Sequence, residues 1–150
     1  MELNDSQRIA ASRQTVYDAL NDPEVLKQCI PGCEELEMVS ETEMNAKILL
    51  RIGPIKARFS GTVELSDLMP PESYTINGEG KGGVAGFAKG GATVKLIEDG
   101  NDTIMEYAVN AKVGGKIAQL GSRLIDSTSK KLANQFFANF SAIVEENAAA

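Results

Sequence analysis

Residues 78–91 read GEGKGGVAGFAKGG and hold seven of the chain's fourteen glycines. The first six, Gly78 to Gly83, satisfy G-x-G-x-x-G. That spacing cradles a dinucleotide pyrophosphate only where it leaves a strand and opens a helix, so that the helix N-terminus meets the phosphates. Here the glycines run into AKGGATVKLIE, which alternates with the period of a strand. No G-x-x-x-x-G-K-[ST] occurs either, so nucleotide binding is not expected of this segment.

The flanking alternation supplies another reason for the glycines. Upstream, Tyr74 and Ile76 share a face, and the same parity continues through Gly78 and Gly80. Counting back from Leu96, Val94 and Ala92, that face receives Gly90, Ala88 and Gly86. Two neighbouring strands thus line up their smallest residues on one side of a sheet. Glycine permits the sharp bend a sheet needs to wrap a helix, and missing side chains leave volume. Closer approach of a helix backbone, or a flexible lip over 82–91, would use the same residues. The helix stripe that would face them is mostly Leu, Ile and Phe, with Gly121 and Thr128 its smaller members, so a cavity is the expectation.

Working outward, the period is two from Glu34 to Val113. Ala46, Ile48, Leu50 and Ile52 alternate with Asn45, Lys47, Leu49 and Arg51, and Gly53-Pro54 turns the chain. Ile55, Ala57, Phe59, Gly61, Val63 and Leu65 then alternate with Lys56, Arg58, Ser60, Thr62, Glu64 and Ser66, the pattern of a long antiparallel strand with one wet face. Pro70-Pro71 breaks the run, and Asp99-Gly100-Asn101-Asp102 marks a hairpin between ATVKLIE and TIMEYAVNAKV. Before this region, residues 2–10 predict a short strand. Ser12 stands as N-cap of a helix over RQTVYDALND, and Pro23 opens a second one, PEVLKQCI, that ends before Pro31-Gly32. After Gly114-Gly115 the steps are three and four: Ile117, Leu120, Leu124, Thr128, Leu132, Phe136, Phe140 and Val144 predict one helix of about thirty residues. The expected fold is α+β, a single domain over residues 1–150. A curved antiparallel sheet of about seven strands wraps a long C-terminal helix, with two short helices after the first strand.

The totals bound the function. Net charge is −6, with fifteen Lys and Arg scattered among twenty-one acids, and this argues against nucleic acid as a partner. There is no histidine, so a catalytic proposal would have to rely on carboxylate, lysine, tyrosine or cysteine in a perturbed environment. Cys29 and Cys33 are the only cysteines. Without His or further Cys they do not suggest a zinc site, and they read as small residues flanking a turn. No secretory signal and no apolar run long enough to span a bilayer are visible, which makes the cytoplasm the expected location. No cofactor is expected.

The candidate site is the concave sheet face lined by Phe59, Val63, Tyr74, Ile76, Met105, Tyr107 and Val109, closed by Ile117, Leu120 and Leu124 of the helix. Apolar pockets carry a few orienting polar groups, and the hydroxyls of Tyr74 and Tyr107 suit that role. Each of these residues, taken singly, is equally a core residue. The assignable inward positions hold no Asp, Glu or Lys, so catalysis is not expected.

The order of elements, with CIPGCEEL after two short helices, GKGGVAGFAKGGATVKL in mid-sheet and VGGKIAQLGSRLIDSTSKKLANQFFANF at the end, resembles the G-subunit family of carbon monoxide dehydrogenase. That family lies within the helix-grip superfamily of lipid-transfer and pollen-allergen proteins. The resemblance spans Glu2 to Phe140. It implies a non-catalytic accessory protein of a molybdenum hydroxylase system, with that enzyme's subunits as partners. It also implies a hydrophobic lipid- or quinone-like small molecule in the cavity and peripheral association with the inner face of the cell membrane. Longer members carry a further C-terminal segment that reaches the membrane; a chain stopping at Ala150 would be a soluble carrier or docking protein. The alternatives are an assembly or membrane-recruitment partner with a filled core, and a cyclase or hydrolase of the same fold.

Overall fold

The computed structural model describes residues 2–149. Strand β1 (Glu2–Ile9) is followed by helices α1 (Arg13–Leu20) and α2 (Pro23–Cys29). Strands β2 (Cys33–Met38), β3 (Glu43–Ile52), β4 (Ile55–Met69), β5 (Ser73–Lys81), β6 (Phe87–Asp99) and β7 (Asp102–Gly114) come next, and helix α3 (Ser122–Ala149) ends the chain. The strands form one antiparallel sheet in the order β1-β7-β6-β5-β4-β3-β2.

Local chemistry sets the boundaries. Ser12 caps α1 by accepting the Thr15 N–H at 3.3 Å, and Asp22 caps α2 by accepting the Glu24 N–H at 2.9 Å ahead of Pro23 in the first turn. In the Pro31-Gly32 stop, Gly32 has φ +76°, and its carbonyl accepts the Leu49 N–H at 2.8 Å. A Cβ at Gly32 would lie 2.1 Å from the Leu49 carbonyl oxygen, so no other residue fits this seam between α2 and the sheet.

One expectation fails here. The terminal helix is not continuous: Gly115–Leu120 forms a 3-10 turn, Gly121 at φ +92° interrupts the chain, and α3 starts at Ser122. Ile117 and Leu120 therefore belong to the turn, not to the long helix. A 3-10 segment has three residues per turn, so its i, i+3 spacing reads like one face of an α-helix.

The apolar interior is divided. A main cluster gathers Val16, Tyr17, Leu20, Met44, Tyr74, Met105, Phe140 and Val144 around the two short helices, the Asp99–Asp102 end of the sheet and the C-terminal half of α3. A smaller one holds Phe59, Ala85 and Ile117, with Leu50, Ile52, Ile55, Ala57 and Val113 against it. The backbone of α3 approaches α1, α2 and β1, and at its start the 3-10 turn and β3; the central strands stand further away. Polar tethers hold the helix's C-terminal half: Asn139 Nδ2 donates to the Cys29 carbonyl at 3.2 Å, and Glu145 Oε1 accepts the Ala10 N–H at 2.9 Å.

Candidate functional site

The space between the two clusters is where the small residues lie. Cross-strand register puts Val63 opposite Gly78, Gly78 opposite Gly90 and Gly90 opposite Ala111, with Ala46, Gly61, Gly80 and Ala88 as the adjoining row. Paired residues share a face, so this belt crosses the inner side of the sheet from β3 to β7. Its glycines have different causes. A Cβ on Gly78 would meet nothing nearer than 3.5 Å and one on Gly80 nothing nearer than 3.8 Å, which is ordinary contact. At Gly61 it would come within 2.3 Å of the Glu79 carbonyl oxygen, and at Gly90 within 2.6 Å of the Asn110 carbonyl oxygen. Gly61 and Gly90 let strands crowd at the bend, while Gly78 and Gly80 omit side chains where there was room for them. The segment thus does both things its composition allowed.

The stretch of helix facing the belt is less buried than the helix's C-terminal half. Leu124, Ile125, Thr128 and Leu132 are half-buried and belong to neither cluster, whereas Phe140 and Val144 are fully buried. On the sheet, Val63, Ile76 and Val109 are also half-buried at the edge of the main cluster.

The residues expected to line the site separate into groups. Val63, Ile76 and Val109 border the belt. Tyr74 and Met105 sit deep in the main cluster, with Tyr74 edge-on to Tyr17 at 5.8 Å. Phe59 and Ile117 form the smaller cluster at the other end. Leu124 reaches the β3–β4 turn, its Cδ2 2.9 Å from where a Cβ on Gly53 would stand, and Leu120 is half-buried in the 3-10 turn. Tyr107 stacks on Phe137 at 4.4 Å, and Phe136 and Phe140 continue the aromatic column along α3.

A recess of about 540 Å³ opens between β1 and α3, lined by Leu3, Asp5, Tyr107, Lys130 and Asn134 among others. Asp5 pairs with Tyr107 across the strands and so shares its inward face, at the exposed rim. The reading that inward positions lack carboxylates is corrected here. Leu3 and Ile9 set the apolar parity of β1, and Asp5 and Gln7 lie between them on that parity; the strand's weak alternation obscured it. Burial raises the Tyr107 phenol above its ordinary value, a hydrogen bond with Gln7 lowers it and the Asp5 carboxylate raises it. Burial also raises Tyr74, with a further rise from Tyr17, whose own buried hydroxyl has no hydrogen-bond partner. These phenols are donors, not bases, near neutral pH.

A broader, open hollow of about 920 Å³ lies on the opposite side of the sheet, where Thr62, Thr75, Asn77, Thr93 and Asn110 line it together with charged neighbours. It is open to water and edged by Glu43, Glu64, Glu79, Lys89 and Lys112, so it lacks the enclosure of an apolar ligand site. Among the described residues no group of three or more His, Cys, Asp or Glu could hold a metal ion. Cys29 is buried and Cys33 half-buried, and both are free. No described helix is long and apolar enough to cross a membrane.

A bent antiparallel sheet closed by one long helix, with two short helices after the first strand, defines a helix-grip protein. Solved structures share this architecture. A conserved protein from Geobacillus kaustophilus superposes with a TM-score of 0.91 at 28% identity, covering 97% of this chain and 96% of that one. TTHA0849 from Thermus thermophilus gives 0.74 at 17% identity, covering 99% of each chain. Ara h 8.0201 gives 0.66 at 13% identity, covering 96% of this chain and 97% of that one. The last two establish the fold alone. Comparison with curated proteins finds no match. Residues 6–145 match CoxG, the family of the carbon monoxide dehydrogenase G subunit. The chain belongs to that family, one of accessory rather than catalytic subunits.

Proposed function

We propose that the chain binds an apolar small molecule, lipid- or quinone-like, between the inner face of the sheet and α3, and serves as the ligand-bearing accessory protein of a molybdenum hydroxylase. The observation that carries this reading is that side chains are missing at Gly78 and Gly80 although a Cβ would make only ordinary contacts there, while Leu124, Thr128 and Leu132 of α3 are half-buried and join neither core cluster. A close-packed interior would place side chains there, because unfilled apolar volume costs stability. Val63, Ile76, Val109, Leu124 and Leu132 would supply the apolar wall. Tyr107, with Asp5 and Gln7 beside it at the rim, would read a polar head group. Phe59, Tyr74, Met105 and Ile117 would support the two ends of the hollow rather than touch the guest along its length.

Native mass spectrometry of gently purified protein, followed by organic extraction, tests this directly. The expected result is a mass increment that extraction removes, and rebinding of a short-chain ubiquinone analogue by the stripped protein. Gly78→Leu should abolish both while leaving the fold intact. A parent protein that carries no apolar molecule and fails to bind the analogue would remove the carrier reading and favour a filled-core assembly partner.

A further inference from the structure

The recess between β1 and α3 carries more chemistry than an apolar guest needs. Register lays out its inner wall row by row: Leu3 pairs with Val109, Asp5 with Tyr107 and Gln7 with Met105. The first row borders the small-residue belt, and the third abuts the filled main cluster, to which Met105 belongs. Asp5 and Tyr107 thus stand where the apolar floor ends. Lys130 and Asn134, one turn apart on α3, line the same recess of about 540 Å³ from the other side.

These polar groups are largely uncommitted. Asp5 Oδ1 accepts the Ser6 N–H at 2.8 Å, which orients the carboxylate and leaves Oδ2 without a hydrogen bond among the described residues. Asp5 and Lys130 carry opposite charges on the walls of one recess, yet among the described residues neither enters an ion pair. Burial raises the Tyr107 phenol, and against that rise the bond with Gln7 lowers it. A bond that favours the phenolate is one that Gln7 donates, so the phenol proton stays free for a guest. Donors on Tyr107, Lys130 and Asn134 and an acceptor on Asp5 therefore border one space, with Glu2 as a second carboxylate in its lining.

We propose that this recess selects a guest whose polar head is a hydroxyl, and that Asp5 is the residue that selects it. The inference rests on the carrier reading above and names the head group that reading leaves open. A hydroxyl donates to Asp5 and accepts from Tyr107, Lys130 or Asn134, so both kinds of group are answered. A ketone oxygen only accepts: it satisfies the donors but sets its own partial negative charge against Asp5. A phosphate head fares worse, because its full charge meets Asp5 and Glu2 together. For a quinone-like guest, the reduced dihydroxy form is therefore held more tightly than the oxidised dicarbonyl form. A charge-assisted hydrogen bond made by one form alone corresponds to roughly tenfold in affinity. A tenfold preference raises the midpoint potential of the bound two-electron couple by about 30 mV, which makes the carried guest a better electron acceptor than the free one.

The test is calorimetric titration of the stripped full chain with one short-chain ubiquinone analogue in three forms: oxidised, anaerobically reduced, and the dimethyl ether of the reduced form. The ether keeps the ring and lacks the donors. The reduced form should bind roughly tenfold more tightly than either of the others. Asp5→Ala, at an exposed position, should leave melting and the affinity for the oxidised form near the parent's and erase the preference. Lys130→Met should weaken both forms and leave their ratio. Glu43→Gln, on β3 at the other side of the sheet, should change neither affinity. Equal binding of the two forms by the parent would overturn the inference and leave the carrier reading in place, as would an Asp5→Ala variant that keeps the preference. Failure of all three probes to bind, with no guest on the purified protein, would remove the carrier reading and this inference with it.

Discussion

Gly78 and Gly90 face each other across β5 and β6, and each lacks a side chain for its own reason. A Cβ on Gly78 makes only ordinary contacts, so Gly78→Leu should stay within about 1 kcal/mol of the parent in stability and, on the proposed function, block the ligand. Gly90→Ala forces a Cβ to within 2.6 Å of the Asn110 carbonyl oxygen and should cost about 1–3 kcal/mol in urea unfolding. Comparable losses at the two positions would mean that Gly78 is packed after all. The thiols give a second residue-level test. Burial pushes Cys29 up to about 11, so the folded protein holds that proton more tightly than the unfolded chain does. Stability from this source is complete below about pH 9 and drains away as pH climbs towards 11, and melting midpoints should follow that course. Near neutral pH a thiol reagent should modify half-buried Cys33 well before Cys29. Alternation made the belt legible in the sequence, since parity alone placed Gly78, Gly80, Ala88 and Gly90 inward. Whether each glycine meant room or crowding was not legible, because that depends on where a neighbouring strand's carbonyl stands.

At the scale of elements, α3 is two helices in energetic terms. Its C-terminal half buries Phe140 and Val144 completely and is tethered by Asn139 and Glu145. The preceding turns bridge the belt. Phe140→Ala should therefore cost about 3–5 kcal/mol, while Leu132→Ala should cost under about 1.5 kcal/mol in the ligand-free protein. Chemical denaturation of both variants decides it, and equal losses would show a helix packed along its whole length. The long strands β4, β5 and β6 were readable from the sequence because their outer faces are largely polar, so their alternation announced their parity. The break at Gly121 was not, since Ile117, Leu120 and Leu124 keep a helical spacing across two kinds of helix. Edge strand β1 hid Asp5 for a related reason: with water on one flank, its inward face tolerates polar residues that a central strand would not.

At the scale of the whole molecule, a hollow interior and a bound guest are thermodynamically linked. Stripping the ligand should lower the melting point, and restoring it at a hundred times its dissociation constant should return about 2.7 kcal/mol. Calorimetry on stripped and reloaded protein measures this, and identical traces would argue against specific occupancy. Sheet order carries another consequence. Glu2 pairs with Asn110, so the first of the seven strands finds its mate only once the seventh has been made. Until then β1 must wait unpaired. The sheet is completed through contacts distant along the chain, a topology that folds slowly and leaves the incomplete sheet open to aggregation and to chaperones.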